Sequence, residues 1–370
     1  MNTIFFILNL QPNPRFVKQI NYLSKTGYTV FVFYFYRDTM VDYTCNINPN
    51  VKLVKLGRID NQKYFKRIFT IITSLKFYKK TDNLPVPKSI MVDNIFSLFL
   101  ALSYRKKKKI KILLQVADLR ELIFAKNLIG IFYRFLEKTL VKNYIDTIVV
   151  TSIKYYDYFY SSFFERNKIF LLENKPLSSD LPIINHNNLS FNKRDKIGIG
   201  LIGGLNRGRT TKLLLDIVKD DPNLFLNVHG LGEDETIVKQ YSNNYANIHF
   251  YGKFNFFNDI SSLYSEIDIV YVVYDTYQES LNNRIALPNK LYEAIYFRKP
   301  LIVSKDTYLA EIIEKYGIGI AANSNSTDDI KTAIYEVNKN FDYYLTNFNK
   351  IGINEYIADN DYELYEKIFR

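Results

Sequence analysis

The run Ile285-Ala-Leu-Pro288-Asn289-Lys290-Leu291-Tyr292-Glu293-Ala294-Ile-Tyr-Phe-Arg298-Lys299-Pro300-Leu301-Ile-Val303 sets a helix, a turn and an apolar strand in direct succession. Pro288 and a capping Asn289 open the helix. The Lys299-Pro300 turn ends it and feeds the strand. A helix start of this kind suits phosphate, because its unpaired N–H groups and the macrodipole point at the ligand. Glu293 lies four residues past Asn289 on the same face. Its carboxylate is within reach of a sugar hydroxyl attached to that phosphate, so the run reads as a nucleotide cradle.

The same alternation extends in both directions. In the first half Ile4–Leu8, Thr29–Tyr34, Ile90–Val92, Ile112–Gln115 and Thr147–Val150 read as strands, with helices at about 15–25, 63–80, 94–104 and 121–143. Pro176 to Lys196, rich in proline, serine, asparagine and charge, reads as a linker. A second set follows: Ile197–Ile202, Leu224–Val228, Ile248–Tyr251, Ile269–Val273, Leu301–Val303 and Gly319–Ala321. Helices fit near 209–219, 233–244, 258–265, 289–297, 306–316 and 326–340. Short apolar strands alternating with longer helical patterns predict parallel α/β architecture, as two doubly wound Rossmann-like domains facing a cleft. The expected domains are 1–185 and 190–350, with an amphipathic segment at about 355–370 packing back on the first.

Composition allows this. The chain has 370 residues and is 47% hydrophobic, enough for two ordinary cores. No apolar run approaches a membrane-spanning length. Thr3–Leu8 lacks a basic n-region and a small-residue cleavage site, and reads as a buried first strand rather than a signal peptide. The single cysteine, Cys45, excludes an internal disulfide framework and suits a cytoplasmic location. His186, His229 and His249 are too widely spaced for a metal signature, so no metal is expected.

The net charge of +11 has concentrated sources at Lys63–Lys80 and Arg105–Lys109. Phe65, Ile68, Ile72 and Leu75 fall on one helical face with lysines around it. That helix reads either as an element lying on an anionic membrane surface, at the inner face of the plasma membrane, or as a domain helix with solvated lysines. No helix-turn-helix, RNP-like or zinc-knuckle pattern accompanies the charge, so nucleic acid is not an expected partner.

Gly198-Ile-Gly200-Leu-Ile-Gly203 matches the dinucleotide fingerprint G-x-G-x-x-G, but its first two glycines fall inside the strand and no acid ends the next one. The better phosphate reading is the turn Gly203-Gly204-Leu205-Asn206-Arg207-Gly208-Arg209 before a helix, with glycines admitting a phosphate and Arg207 or Arg209 neutralising it. The alternative is a tight turn with solvated arginines. His229 reads as packing beside a turn, and Glu233, Asp234 and Glu235 as solvated first-turn acids.

Taken together the motifs resemble the GT-B-fold retaining glycosyltransferases of family four, especially bacterial enzymes of capsule and exopolysaccharide assembly. Asn13-Pro-Arg15-Phe-Val-Lys-Gln, Asp118-Leu-Arg120-Glu121, Phe135-Leu-Glu137 through Ser152, Gly203-Gly204-Leu205 with Arg207-Gly208, and Pro288–Glu293 with Arg298-Lys-Pro300 carry the likeness over nearly the whole chain. Ile285 stands where many members have the first of two glutamates. Leu10-Gln-Pro-Asn-Pro14 replaces the glycine-rich first loop.

The resemblance implies retaining transfer of a sugar from a nucleotide-diphosphate sugar to a glycan or lipid-linked acceptor, without bound metal or other cofactor. The first domain would bind acceptor and the second the donor. Arg207, Lys290, the helix start at Asn289 and the Gly203 and Gly204 amides would stabilise the departing diphosphate. Glu293 would accept from ribose hydroxyls, or be a solvated helix acid. Leu291 and Lys253 would line the nucleotide pocket. Asp118 would serve as acid/base or orient the acceptor, with Arg120, Asn13 and Arg15 on the acceptor side; the competing reading of Asp118 is a helix N-cap. A GT-B sugar-nucleotide epimerase and a non-catalytic nucleotide-binding partner subunit are the alternatives.

Overall fold

The computed structural model describes residues 2–38, 40–59, 70, 74, 84–105, 110–184, 196–276 and 281–369. The basic runs Lys63–Lys80 (Thr70 and Ser74 apart) and Lys106–Lys109 lie outside the described residues, as does 185–195 of the expected linker. The chain divides into two compact units. The first comprises Met1–Glu173 with Asp361–Arg370, and the second Asn174–Asn360.

In the first unit, strands β1 (Thr3–Leu8), β2 (Thr29–Tyr36), β3 (Lys52–Arg58), β4 (Ser89–Val92), β5 (Lys111–Val116), β6 (Thr147–Val150) and β7 (Ile169–Leu171) form one parallel sheet. Their spatial order is β3-β2-β1-β4-β5-β6-β7. Every residue of β1, β4 and β6 is buried, which parallel strands covered on both faces require. β3 and β7 were not expected. Both are edge strands: β3 carries lysines and is half exposed, and β7, though apolar, has only three residues.

The expected helix over 121–143 is broken into Glu121–Phe124 and Leu128–Tyr144. Ala125 is extended, and Asn127 caps the second piece by accepting from the Gly130 N–H (2.9 Å). The terminal helix Tyr362–Phe369 belongs to this unit. Tyr362 stacks on Tyr22 with ring centroids 4.5 Å apart, and Phe369 lies 6.0 Å from Phe6.

In the second unit β8 (Ile197–Ile202), β9 (Leu224–His229), β10 (Ile248–Gly252), β11 (Ile269–Val272), β12 (Leu301–Ser304) and β13 (Gly319–Ala322) are parallel in the order β10-β9-β8-β11-β12-β13. The unit begins at Asn174 rather than near residue 190, because the segment after it pairs within this unit. Ala358 N–H donates to the Pro176 carbonyl, and Asp359 accepts from the Ser178 N–H (2.9 Å).

In both sheets the strand order reverses beside the first strand, giving one switch point between β1 and β4 and another between β8 and β11. Ligands of such sheets bind outside the carboxyl ends there. Gly198 and Gly200 of the misleading fingerprint serve packing. A Cβ on Gly198 would lie 2.4 Å from the Phe225 ring, and one on Gly200 2.4 Å from Ile267.

Candidate functional site

At the first unit's switch point the loops after β1, β4 and β5 surround a cavity of about 280 Å³. Asn13, Arg15, Asp118 and Arg120, all expected on the acceptor side, line it, together with Asp93 and Gln115. Asn13 also caps the helix Pro14–Lys25, its Oδ1 accepting from the Phe16 N–H (3.3 Å). Asp118 is not a helix cap: the N-cap of Glu121–Phe124 is Arg120, and Asp118 Oδ1 instead accepts from Tyr155 Oη (3.3 Å). The Arg120 guanidinium lies over the Phe96 ring at 5.4 Å. Burial lowers the Arg15 pKa against the pull of Asp118, Tyr155 and Asp93, and its Nε is buried without a partner.

Asp93 was missed, although it follows β4 just as Asp118 follows β5. Burial raises its pKa, opposed by bonds from Ser97 Oγ (2.7 Å) and the Asn9 N–H (2.9 Å). It ties the loop after β1 to the loop after β4 across the switch point.

In the second unit the turn after β8 and the helix Lys290–Phe297 meet. A Cβ on Gly203 would lie 3.5 Å from Lys290 Cε. Lys290 is 6% exposed and Glu293 1%. The Glu293 Oε2 takes hydrogen bonds from Lys290 Nζ and from Tyr264 Oη (2.8 Å), while Oε1 accepts from Asn289 Nδ2 (2.7 Å). Glu293 is therefore no solvated helix acid. Asn289 departs from expectation too, for its side chain donates to Glu293 and makes no capping bond. Lys290 Nζ also lies 5.7 Å from the centre of the Phe254 ring. Leu291 is buried, and Lys253 is exposed just beyond β10.

Two phosphate contacts expected of the turn are corrected by its hydrogen bonds. The Gly203 N–H already donates to the His229 carbonyl (2.8 Å), while Gly204 is exposed. Arg207 is buried rather than open: its Nη1 donates to the Tyr271 carbonyl (2.8 Å), and its guanidinium lies 4.8 Å from the centre of the Tyr274 ring. It braces the turn from below. Arg209, half-buried, pairs with the buried Asp275 just beyond β11 (2.8 Å).

The organiser of the turn is Asp234, which its place in an acidic first turn disguised as a solvated acid. It is buried and accepts from the Arg207 N–H (2.8 Å), the Gly208 N–H (3.0 Å) and Thr211 Oγ1 (2.6 Å). No local pattern announces this, because Thr211 lies 23 residues before it.

Gly230 adopts φ +148°, and a Cβ there would sit 1.7 Å from the Gly203 carbonyl oxygen. His229 stacks on Tyr251 with centroids 4.4 Å apart. Burial lowers its pKa to about 4 against the opposing charge of Asp259. The imidazole is therefore neutral at pH 7.

Residues 186–350 match the model of the family described as Glycosyl transferases group 1. The matched stretch lies within the second unit. Within it, the Gly203 turn, Lys290 and Glu293 occupy the carboxyl side of the sheet.

Solved structures match across the whole chain. Sucrose-phosphate synthase from Thermosynechococcus elongatus is 14% identical with a TM-score of 0.70, covering 100% of this chain and 95% of that one. The Anabaena protein Alr3699/HepE in complex with UDP-glucose is 11% identical with a TM-score of 0.70, covering 98% of each. The UDP-GlcNAc 2-epimerase from Neisseria meningitidis bound to UDP-GlcNAc is 15% identical with a TM-score of 0.60, covering 99% of each. At these identities the likeness establishes the fold, which is GT-B. No curated protein matches the sequence.

Among the described residues no group of three or more His, Cys, Asp or Glu side chains is placed to hold a metal ion. None of the described helices is long and apolar enough to cross a membrane.

Proposed function

We propose that the protein is a glycosyltransferase of the family-four type. It moves a sugar from a nucleotide-diphosphate sugar to a glycan or lipid-linked acceptor, with retention at the anomeric carbon, in surface polysaccharide assembly. The observation that carries this reading is the meeting of the Gly203 turn with Lys290 and Glu293 at the switch point of a glycosyltransferase group 1 domain.

The diphosphate lies against the exposed Gly204 amide, the start of helix Lys290–Phe297 and the Lys290 ammonium. The positive charge there stabilises the departing nucleotide without a metal. Glu293 has a lone pair left on Oε1 for a ribose hydroxyl, and its bonds to Asn289, Lys290 and Tyr264 fix its orientation. Leu291 and Lys253 flank the nucleotide. Arg207 acts through the shape of the turn rather than by contact. In the first unit, Asp118 and Arg120 orient the acceptor hydroxyl, with Asn13 and Arg15 beside them.

The test begins with a thermal-shift screen of nucleotide-diphosphate sugars. A donor at a hundred times its Kd stabilises by about 2.7 kcal/mol. The donor found is then incubated with and without acceptor glycans. Transfer that falls strongly in both Lys290→Ala and Glu293→Ala, with the fold intact, is the expected result; near-normal transfer in both refutes it. Formation of an epimer from donor alone identifies a sugar-nucleotide epimerase instead. Binding with no turnover identifies a nucleotide-binding partner subunit.

A further inference from the structure

Helix Leu128–Tyr144 buries one face and exposes another that is equally apolar. Gly130, Tyr133, Glu137, Leu140 and Val141 pack inward. On the outside stand Leu128 (83% exposed), Ile129 (65%), Ile131 (51%), Phe132 (63%) and Phe135 (67%). At 100° per residue these five side chains share an arc of about 160°. A helix apolar on all sides belongs in a core, and a contiguous apolar face held in water marks an interaction surface.

The corner that presents this face is tightly built. Arg134 Nη1 donates to the carbonyls of Ile123 (3.0 Å) and Ala125 (2.5 Å). A Cβ on Gly130 would lie 2.3 Å from the Ala125 oxygen, so the helix start is pressed against the preceding turn.

Charge identifies what the face meets. Exposed Lys126 precedes the helix, and exposed Lys138 and Lys142 continue the same face toward its C-terminus. The one acid of the helix, Glu137, is buried and bonded by Tyr160 Oη (2.8 Å). Five hydrocarbon side chains without a polar group, bordered by lysines and with no exposed acid on the helix, form an apolar face edged by one sign of charge, which is complementary to an anionic surface. They match an interfacial helix, with the apolar face among acyl chains and the lysines at anionic headgroups. The net charge of +11 points the same way.

We infer that the outward face of Leu128–Tyr144 is an insertion surface for an anionic lipid bilayer, on which the helix lies in the plane of the membrane. This inference stands apart from the transferase reading, and its test needs no catalysis. The chain contains no tryptophan, so Phe132→Trp is a single reporter in the full-length protein. With phosphatidylglycerol vesicles its emission shifts to the blue and is quenched by brominated acyl chains. Phosphatidylcholine vesicles give a weaker response, and salt at about 0.5 M, which shortens the Debye length to about 4 Å, reduces the effect without abolishing it. In the same Trp-containing chain, Leu128→Ser with Phe135→Ser weakens partitioning at least about tenfold while the circular dichroism is unchanged.

Vesicle binding with an unquenched tryptophan overturns the inference, since contact then runs through other basic residues. Unaltered binding by the serine variant overturns it as well. So does a blue shift that appears without vesicles and tracks concentration-dependent dimerisation in sedimentation, which assigns the face to a second copy of the chain.

Discussion

Lys290 and Glu293 form a buried ion pair at the centre of the proposed donor site, and separating them distinguishes its structural from its functional load. Removing one member of a buried pair strands the other and costs about 3–5 kcal/mol, whereas replacing both by groups of similar volume is close to neutral. Here the two losses are unequal. In Lys290→Met the carboxylate keeps its donors Tyr264 and Asn289, so a cost near the low end, about 3 kcal/mol, follows. In Glu293→Gln the buried ammonium loses its anion, and the amide nitrogen cannot accept from Tyr264 or Asn289, which places the cost nearer about 5 kcal/mol.

The double variant should recover at least about 2 kcal/mol of the summed loss, because the residues touch. Calorimetric unfolding of all four proteins gives the cycle, read on the transition assigned to the second unit. Nucleotide binding, measured by titration calorimetry in parallel, should be lost in the double variant despite its recovered stability. A double variant as unstable as the sum of the singles refutes the buried-pair argument. One that binds nucleotide as wild type refutes the site.

Other expectations follow from individual contacts. Asp234→Ala strands the buried Arg207 amide and Thr211 hydroxyl and releases the Gly208 amide, so unfolding should cost about 3 kcal/mol and nucleotide affinity should fall as the turn loosens; stability within about 0.5 kcal/mol of wild type contradicts the clamp. Gly230→Ala drives a methyl group into the Gly203 carbonyl and should lower the melting temperature sharply, whereas Gly352→Ala, with open space around it, should leave it nearly unchanged. The unfolded His229 imidazole protonates near its ordinary pKa of about 6.5, but the folded one waits until about 4. Between those values the unfolded chain binds more protons. Stability should therefore fall by up to about 2 kcal/mol as pH drops from 6.5 to 4, and His229→Phe should remove that slope in denaturant titrations while leaving the plateau above pH 7.

The sequence disclosed what strong local patterns can carry. All six strands of the second sheet were legible because each is a short, largely apolar run set between helical patterns, as Ile269–Val272 and Leu301–Ser304 show. β3 escaped because an edge strand alternates lysine with leucine and valine and looks like a loop. The break at Ala125 escaped because nothing in Phe124-Ala-Lys-Asn127 forbids a helix; what decides it is the tertiary hold of Arg134 on the corner.

In the site, Lys290 and Glu293 could be named from helix spacing, since their contact is three residues long. Asp234 could not. Nor could the burial of Arg207 beneath its turn, because Tyr271 and Tyr274, which hold it, come 64 or more residues later. The outward hydrocarbon face of Leu128–Tyr144 was hidden by the same uncertainty: alternating burial on two sides of one helix cannot be assigned to core or solvent from period alone.

The composition of the first unit from two separated pieces, Met1–Glu173 and Asp361–Arg370, has a consequence for biogenesis. A ribosome completes residues 174–360 before it makes the helix that covers Tyr22 and Phe6. The second unit is therefore complete in sequence while the first still lacks the helix that covers its aromatic patch. In this chain the usual vectorial order, N-terminal domain first, is reversed for the final step. A chain truncated after residue 360 and released from the ribosome should accordingly show a protease-resistant second unit and a first unit that chaperones still recognise.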